Sequence, residues 1–399
     1  ERDGATVIEI PAGAGPGTIN DAFFRFVIDM GAPGPDAQKG GTYIILPPDY
    51  KGQLKPTLNG MQHRGKDTRT STMIGGKETK AWVAQSTSYS NWLVLRGFLK
   101  DAKPEYAANM WRTGLKIYPL KDAKKPKAME FTNGSGKFFN TIHANNYKFY
   151  EELAHILDKE PVSFLDPELR GQAAAIGIQK GKPFKPDARL KTILEDAVQV
   201  GNATARAIWL KPRQEDAYFF DDRKWYTGFI GKDYQWLKDK GLGGRALDAR
   251  TLFFYSATVN TPAMALEIPG VGSNYAFATE DKAGDFLDGN KSYKVTLPAN
   301  APARDFWSVV VYDPQTRSEL QIPGGSKYPS KNNKRDKLVY NKDGSVTLYF
   351  GPNLPKGAPE TNYTETVPGK AWFVLLRLYG PLQPWFDRTW KPSDFELIK

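Results

Sequence analysis

Trp372-Phe-Val-Leu-Leu-Arg-Leu-Tyr379 reads as a β-strand, and so does Phe306-Trp-Ser-Val-Val-Val-Tyr312, which runs on into Asp313-Pro-Gln-Thr-Arg317. Both are apolar runs of seven or eight residues bounded by turn-forming residues, too short for a core helix and rich in β-branched and aromatic side chains. Tyr293 to Leu297 and Val346 to Phe350 have the same character, and Asn341-Lys-Asp-Gly344 is a hairpin-turn signal, because Asp-Gly accepts the positive backbone angles such turns need. Residues 250–399 therefore read as a β-domain.

Working back towards the N-terminus, the period changes. Between Pro104 and Trp209 the apolar positions fall at helical spacing: Phe149, Leu153, Ile156 and Leu157 form one stripe, and Leu190, Ile193, Leu194 and Ala197 another. Residues 5–100 return to strands, with Thr6 to Ile10, Phe24 to Met30, Tyr43 to Leu46 and Trp92 to Phe98 separated by Gly and Pro breakers. The fold class is mainly β with a helical middle segment (α+β). Two β-sandwiches are expected at 1–100 and 250–399, with a helical connector at 101–249.

The two β segments echo each other. Phe24 to Asp29 resembles Phe306 to Asp313, Ile45-Leu-Pro-Pro-Asp-Tyr-Lys-Gly52 resembles Phe350-Gly-Pro-Asn-Leu-Pro-Lys-Gly357, and Asn91-Trp-Leu-Val-Leu-Arg96 resembles Ala371-Trp-Phe-Val-Leu-Leu-Arg377. Three correspondences in one order predict two related sandwiches, with Trp92 within a position or two of Trp372.

Composition narrows the chemistry. A chain of 399 residues exceeds the size at which one core stops growing, so at least two domains are expected. There is no cysteine, which excludes disulfides, thiolate zinc sites and thiol nucleophiles and suits an oxidising, exported setting. The chain opens at Glu1, without an initiator methionine, straight into a strand-like segment, as expected of a processed or incompletely observed protein. No apolar run approaches the ~18 residues of a membrane span. The formal charge of +11 is scattered over the loops, and no nucleic-acid reader motif accompanies it; even the densest run, Lys331 to Lys337, reads as a solvated loop.

Few motifs carry chemistry. His63, His143 and His155 are the three histidines, and none pairs with another at metal-ligand spacing; His143 remains a candidate general base. Gly177-Ile-Gln-Lys-Gly-Lys-Pro-Phe184 fails as a phosphate loop, because the spacing is short and Pro183 stands where a magnesium-binding hydroxyl belongs. Asp281, Asp285 and Asp288 lack the order of an EF-hand and read as an exposed turn without metal. No cofactor or metal is expected.

More informative are arginines inside apolar strands. Arg377 shares its period-two face with Phe373, Leu375 and Tyr379, and Arg96 shares one with Trp92, Val94 and Phe98. A buried guanidinium needs a partner, and a carboxylate is expected, with Asp29 and Asp313 as candidates. Tyr255, Tyr275 and Trp307, read near strand ends, are aromatic faces suited to a sugar or aromatic ligand. The candidate ligand-binding residues are thus Arg377, Tyr379, Arg96, Trp307, Tyr255, Tyr275, Asp313 and His143.

The run Gly40-Gly-Thr-Tyr-Ile-Ile-Leu-Pro-Pro-Asp-Tyr-Lys-Gly52, with Ser90-Asn-Trp-Leu-Val-Leu-Arg-Gly97, resembles the bacterial domain of unknown function DUF1254. Phe306 to Arg317, Asn341 to Ser345 and Trp372 to Pro381 resemble its usual partner, DUF1214. The resemblance implies a two-part, exported, jelly-roll-like protein with a helical segment between its sheets, and no established activity. It also implies a further N-terminal stretch before the Ala5 strand, and it makes residues 63–84 and 324–336 look like insertions. The functional expectation is an exported, periplasmic or secreted, ligand-binding or assembly-forming module. Its expected partners are a second copy of itself and a small-molecule or carbohydrate ligand. Two other readings stand: a hydrolase or lyase acting on a carbohydrate or small organic substrate through carboxylate, Tyr or Arg chemistry, and a structural subunit of a larger β-sandwich assembly.

Overall fold

The computed structural model describes residues 4–58, 65, 67–101, 103–140, 142–323, 325 and 328–398. The chain divides into two units, Glu1–Gly201 with Thr258–Ala263, and Asn202–Ala257 with Met264–Lys399.

In the first unit the alternating strand Thr6–Ile10 (β1) sends Ile8 and Ile10 to one side and Val7 to the other. It is followed by Pro16–Asp21 (β2), Phe26–Gly31 (β3), Gly41–Leu46 (β4), Thr70–Ile74 (β5), Lys77–Gln85 (β6) and Asn91–Leu95 (β7). The helix Glu105–Gly114 (α1) then leads into Lys116–Pro119 (β8). One sheet has the order β5-β6-β4-β1-β8 and the other β3-β2-β7. Ile8, Tyr43, Ile45 and Trp82 of the first pack with Ile19, Ile28 and Met30 of the second, forming a sandwich. Helices Lys148–Lys159 (α2), Pro167–Ala175 (α3) and Ala188–Leu210 (α4) follow. Their common core is Tyr150, Leu194 and Val198 with Leu153 and Leu157, so the α2 stripe runs through Tyr150 while Phe149 is exposed.

The second unit contains Leu247–Ser256 (α5), Pro262–Ala265 (α6, which begins in the first unit), Ser273–Ala278 (β9), Tyr293–Leu297 (β10), Ala303–Tyr312 (β11), Ser330–Asn332 (β12), Val346–Gly351 (β13), Tyr363–Glu365 (β14), Phe373–Pro381 (β15), Gln383–Phe386 (α7) and Glu396–Leu397 (β16). The sheets β14-β13-β10-β16 and β12-β11-β15-β9 close a second sandwich over Val295, Leu348, Phe350, Val309, Val374 and Leu376. The outer face of the latter sheet is covered by a separate aromatic cluster, in which Trp209, Phe253 and Tyr255 meet Phe277, Tyr312 and Phe373.

The two sandwiches share one topology. Strand order β6-β4-β1-β8 matches β14-β13-β10-β16, and β3-β2-β7 matches β12-β11-β15. Directions agree as well: β4 and β6 run parallel, as do β13 and β14, and the other equivalent pairs are antiparallel. Among the described residues β5 and β9 are the strands without a counterpart. The matching topology corrects two sequence expectations. The strand equivalent to Phe306–Tyr312 is β2 rather than the Phe24 to Asp29 segment, because Phe24 sits in the connecting turn with φ of 55°. And residues 63–84 are not simply an insertion, since they supply β6, the counterpart of β14; the charged first half of β6 pairs only with the edge strand β5.

Candidate functional site

β15 alternates as its sequence dictates: Val374, Leu376 and Leu378 enter the sandwich, and Phe373, Leu375, Arg377 and Tyr379 face the other way. Across the sheet Arg377 stands opposite Tyr275 of β9 and Ser308 of β11. The guanidinium carbon lies 5.3 Å from the Tyr275 ring centre and 5.2 Å from that of Tyr379. Tyr379 is itself fixed by a stacked Phe306 at 3.9 Å. Tyr312, four positions along β11 from Ser308 and paired with Phe373, packs flat on that ring at 5.2 Å.

This is a cation held by aromatic faces. Among the described residues no carboxylate forms an ion pair with Arg377, and its Nε is buried with no hydrogen-bond partner. Burial penalises the charged form, yet the phenols of Tyr275, Tyr379 and Tyr312 outweigh it and the net shift of the guanidinium is upward. Burial pushes the Tyr312 phenol up, with Arg377 opposing it, so Tyr312 stays protonated at neutral pH and offers an O–H. One permanent positive charge beside the protonated Tyr312 O–H favours an anion as ligand.

The expected carboxylate partner of Arg377 is not found among the described residues. Asp313 instead accepts from Lys370 Nζ at 2.8 Å and from the backbone N–H groups of Gln315 and Thr316. Asp29 belongs to the first unit, where it accepts from Thr261 Oγ1 at 3.2 Å. Arg96 is exposed, because β7 ends at Leu95 and Trp92 and Phe98 on the same side are 53% and 50% exposed. Tyr255 is in helix α5 rather than at a strand end. There its ring stacks under Arg317 at 4.4 Å, its carbonyl accepts from Arg317 Nε at 2.9 Å and its hydroxyl accepts from Arg206 Nε at 3.1 Å.

Tyr275 and Tyr379 thus join Arg377, whereas Asp313, Tyr255 and Trp307 serve elsewhere in the second unit. His143 is exposed in the irregular stretch before α2, and His155 is exposed on α2; His63 lies outside the described residues. Asp281 is buried rather than exposed, and its Oδ1 accepts from the N–H groups of Ala283 and Asp285. Sequence reasoning missed Tyr312 and Phe306. Both share the period-two face of Ser308 on β11, which was the available signal.

It also missed a repeated Asp-x-x-x-Arg. Asp21 and Asp313 each end a strand and accept from the N–H two residues on, Phe23 at 2.8 Å and Gln315 at 2.7 Å. In each unit the arginine four residues later stacks on an aromatic ring and bonds that same residue's carbonyl. Arg25 does so with Phe164, at 5.2 Å and 2.7 Å, and Arg317 with Tyr255.

Fold and site together define an α+β protein of two topologically equivalent β-sandwiches, the second bearing a tyrosine-lined arginine. Residues 2–119 match the family described as Protein of unknown function (DUF1254), and residues 272–383 the one described as Protein of unknown function (DUF1214), so the chain carries the first match N-terminally and the second C-terminally. The crystal structure of the VPA0106 protein from Vibrio parahaemolyticus is similar over 99% of this chain and 86% of that one, with 17% identity and a TM-score of 0.51, a likeness of fold. An uncharacterised protein from Burkholderia cenocepacia aligns over 99% of this chain and 73% of its own, with 11% identity and a TM-score of 0.38. Among curated proteins none matches. No helix among the described residues is long and apolar enough to cross a membrane.

Proposed function

We propose that the chain is an exported binding module whose second unit takes a small anion, a carboxylate or phosphate group, at Arg377. The supporting observation is the guanidinium itself: largely buried, ringed by Tyr275, Tyr379 and Tyr312, and without an ion-paired carboxylate among the described residues. A buried charge left without a counter-charge costs several kcal/mol, a cost that an anionic ligand relieves on binding. The flanking phenols add hydrogen-bond donors and flat faces, which favours an aromatic carboxylate over acetate.

Titration of the folded protein with benzoate, acetate and inorganic phosphate by calorimetry tests this. Benzoate or phosphate should bind saturably, and Arg377→Met should abolish that binding while the protein remains folded. If wild type and Arg377→Met respond alike to all three anions, the reading fails.

A second reading, assembly with further copies, is favoured by one observation. In the first unit Phe138 is 91% exposed on an irregular stretch that also exposes Phe131 and Phe139. Sedimentation velocity of the wild type and of Phe138→Ser with Phe139→Ser distinguishes it: a mass above 44.6 kDa that falls to it in the variant supports assembly, and a monomer in both removes it.

A further inference from the structure

The sandwich of the second unit has an opening at one end, away from Arg377. The end of β10, the loop after it, the start of β13 and the side chain of Trp307 enclose a cavity of about 240 Å³, lined by Asn300, Trp307, Asn333 and Tyr340 among Leu297 and Val346. Trp307 points into the sandwich core, on the opposite side of the sheet from Arg377. The two sites are therefore separate.

The lining has a definite chemistry. None of its residues is charged, so an ion entering would lose its hydration with no counter-charge to replace it. It is nevertheless polar. Trp307 is only 3% exposed as a residue, and its indole borders the opening. The Asn333 Oδ1 is taken by the Trp307 backbone N–H at 2.9 Å, which turns the amide so that its NH₂ remains available. Asn300 and the Tyr340 hydroxyl add further neutral donors and acceptors. Gly344 belongs to the same rim: its φ of 80° and the approach of Ala299 within 3.2 Å of any Cβ placed there keep the Asn341 to Gly344 turn tight against the opening.

We propose that this cavity is a second ligand site, taking a neutral polyhydroxylated molecule of monosaccharide size. Its volume corresponds to about eight waters at ~30 Å³ each, below the range of drug-sized pockets and suited to one small ring. The indole supplies a flat apolar face and one N–H donor, and the amides and phenol supply the hydroxyl partners; charge complementarity plays no part.

The experiment is calorimetric titration with D-glucose, D-galactose, D-mannose and D-fructose, repeated on three variants. At least one sugar should bind wild type with a Kd tighter than about 10 mM. Tyr340→Ala, whose side chain is half exposed and outside the core, should weaken it at least about fivefold, close to 1 kcal/mol. Trp307→Phe, which removes the N–H and keeps a ring, should do the same, with an unchanged circular dichroism spectrum as the check on folding. Arg377→Met should leave sugar binding intact, which separates this site from the anion site. Failure of all four sugars to bind wild type, insensitivity to Tyr340→Ala, or loss on Arg377→Met would each overturn the proposal.

Discussion

Strands β7 and β15 hold the same place in the two units, and their registers with β2 and β11 bring Arg96 level with Arg377 and Trp92 level with Phe373, one residue past Trp372. From that common position the two diverge. Phe373 is buried under Trp209 at 4.6 Å, while Trp92 is half exposed. Arg377 has a further strand, β9, beside it, and Tyr275 comes from that strand; β7 is an edge, and Arg96 has no such neighbour among the described residues. One duplicated frame thus carries a solvated arginine in one unit and an enclosed one in the other, and the added strand makes the difference.

The comparison breaks first, if it is wrong, at the shared aspartates. Asp21 is fully buried and holds two backbone N–H groups, Thr87 Oγ1 and Arg25 Nε, so Asp21→Ala should destabilise the first unit by ~3 to 5 kcal/mol in urea unfolding. The ion pair of Asp313 with half-exposed Lys370 is worth less, and Asp313→Ala should cost about 1 to 3 kcal/mol. A larger loss at Asp313 than at Asp21 would refute this ranking.

Next comes Arg377→Met. Because no ion-paired carboxylate is stranded, the loss of stability should stay below the ~3 to 5 kcal/mol of a broken buried pair; a loss in that range would reveal a counter-charge and defeat the anion reading.

The pH dependence should follow Asp313. Burial raises its carboxyl, but Lys370 and the Gln315 N–H outweigh that and hold it below the ordinary value. A depressed folded value stabilises above the unfolded value of ~3.9 and is lost as pH falls through the folded one. The stability gap between wild type and Asp313→Asn should therefore be constant near neutrality and close below about pH 4. A gap that persists in acid would show that the carboxylate charge is not the cause. The smallest effect belongs to Arg96→Met, expected within about 0.5 kcal/mol of wild type by thermal unfolding.

Much of this was legible in the residues. The period-two runs located β10, β11, β13 and β15, and Arg377 stood out because a cation interrupts an apolar face. What alternation cannot report is whether a face is covered. Arg96 and Arg377 read alike in sequence, yet the cover over Phe373 comes from Trp209, more than 160 residues earlier, as the numbering shows. The short apolar run before Tyr255 reads equally as strand or helix, and it forms α5. The anticipated carboxylate beside Arg377 was a sound electrostatic demand met by different means, since tyrosine faces also hold a guanidinium.

The first unit is completed by a segment that arrives late. Asn20 on β2 is wholly buried, and its amide is locked to one backbone: its Nδ2 donates to the Asn260 carbonyl at 2.7 Å, and its Oδ1 accepts from the Asn260 N–H at 3.0 Å. A ribosome must therefore release residue 260 before the N-terminal sandwich can seal, and by then most of the helical region and the start of the second unit have been made. Folding during synthesis cannot proceed unit by unit from the N-terminus here. The nascent first sandwich waits with an unsatisfied amide on β2, and a chain cut at residue 201 should be a poor, chaperone-dependent folder despite containing every strand of its sheets.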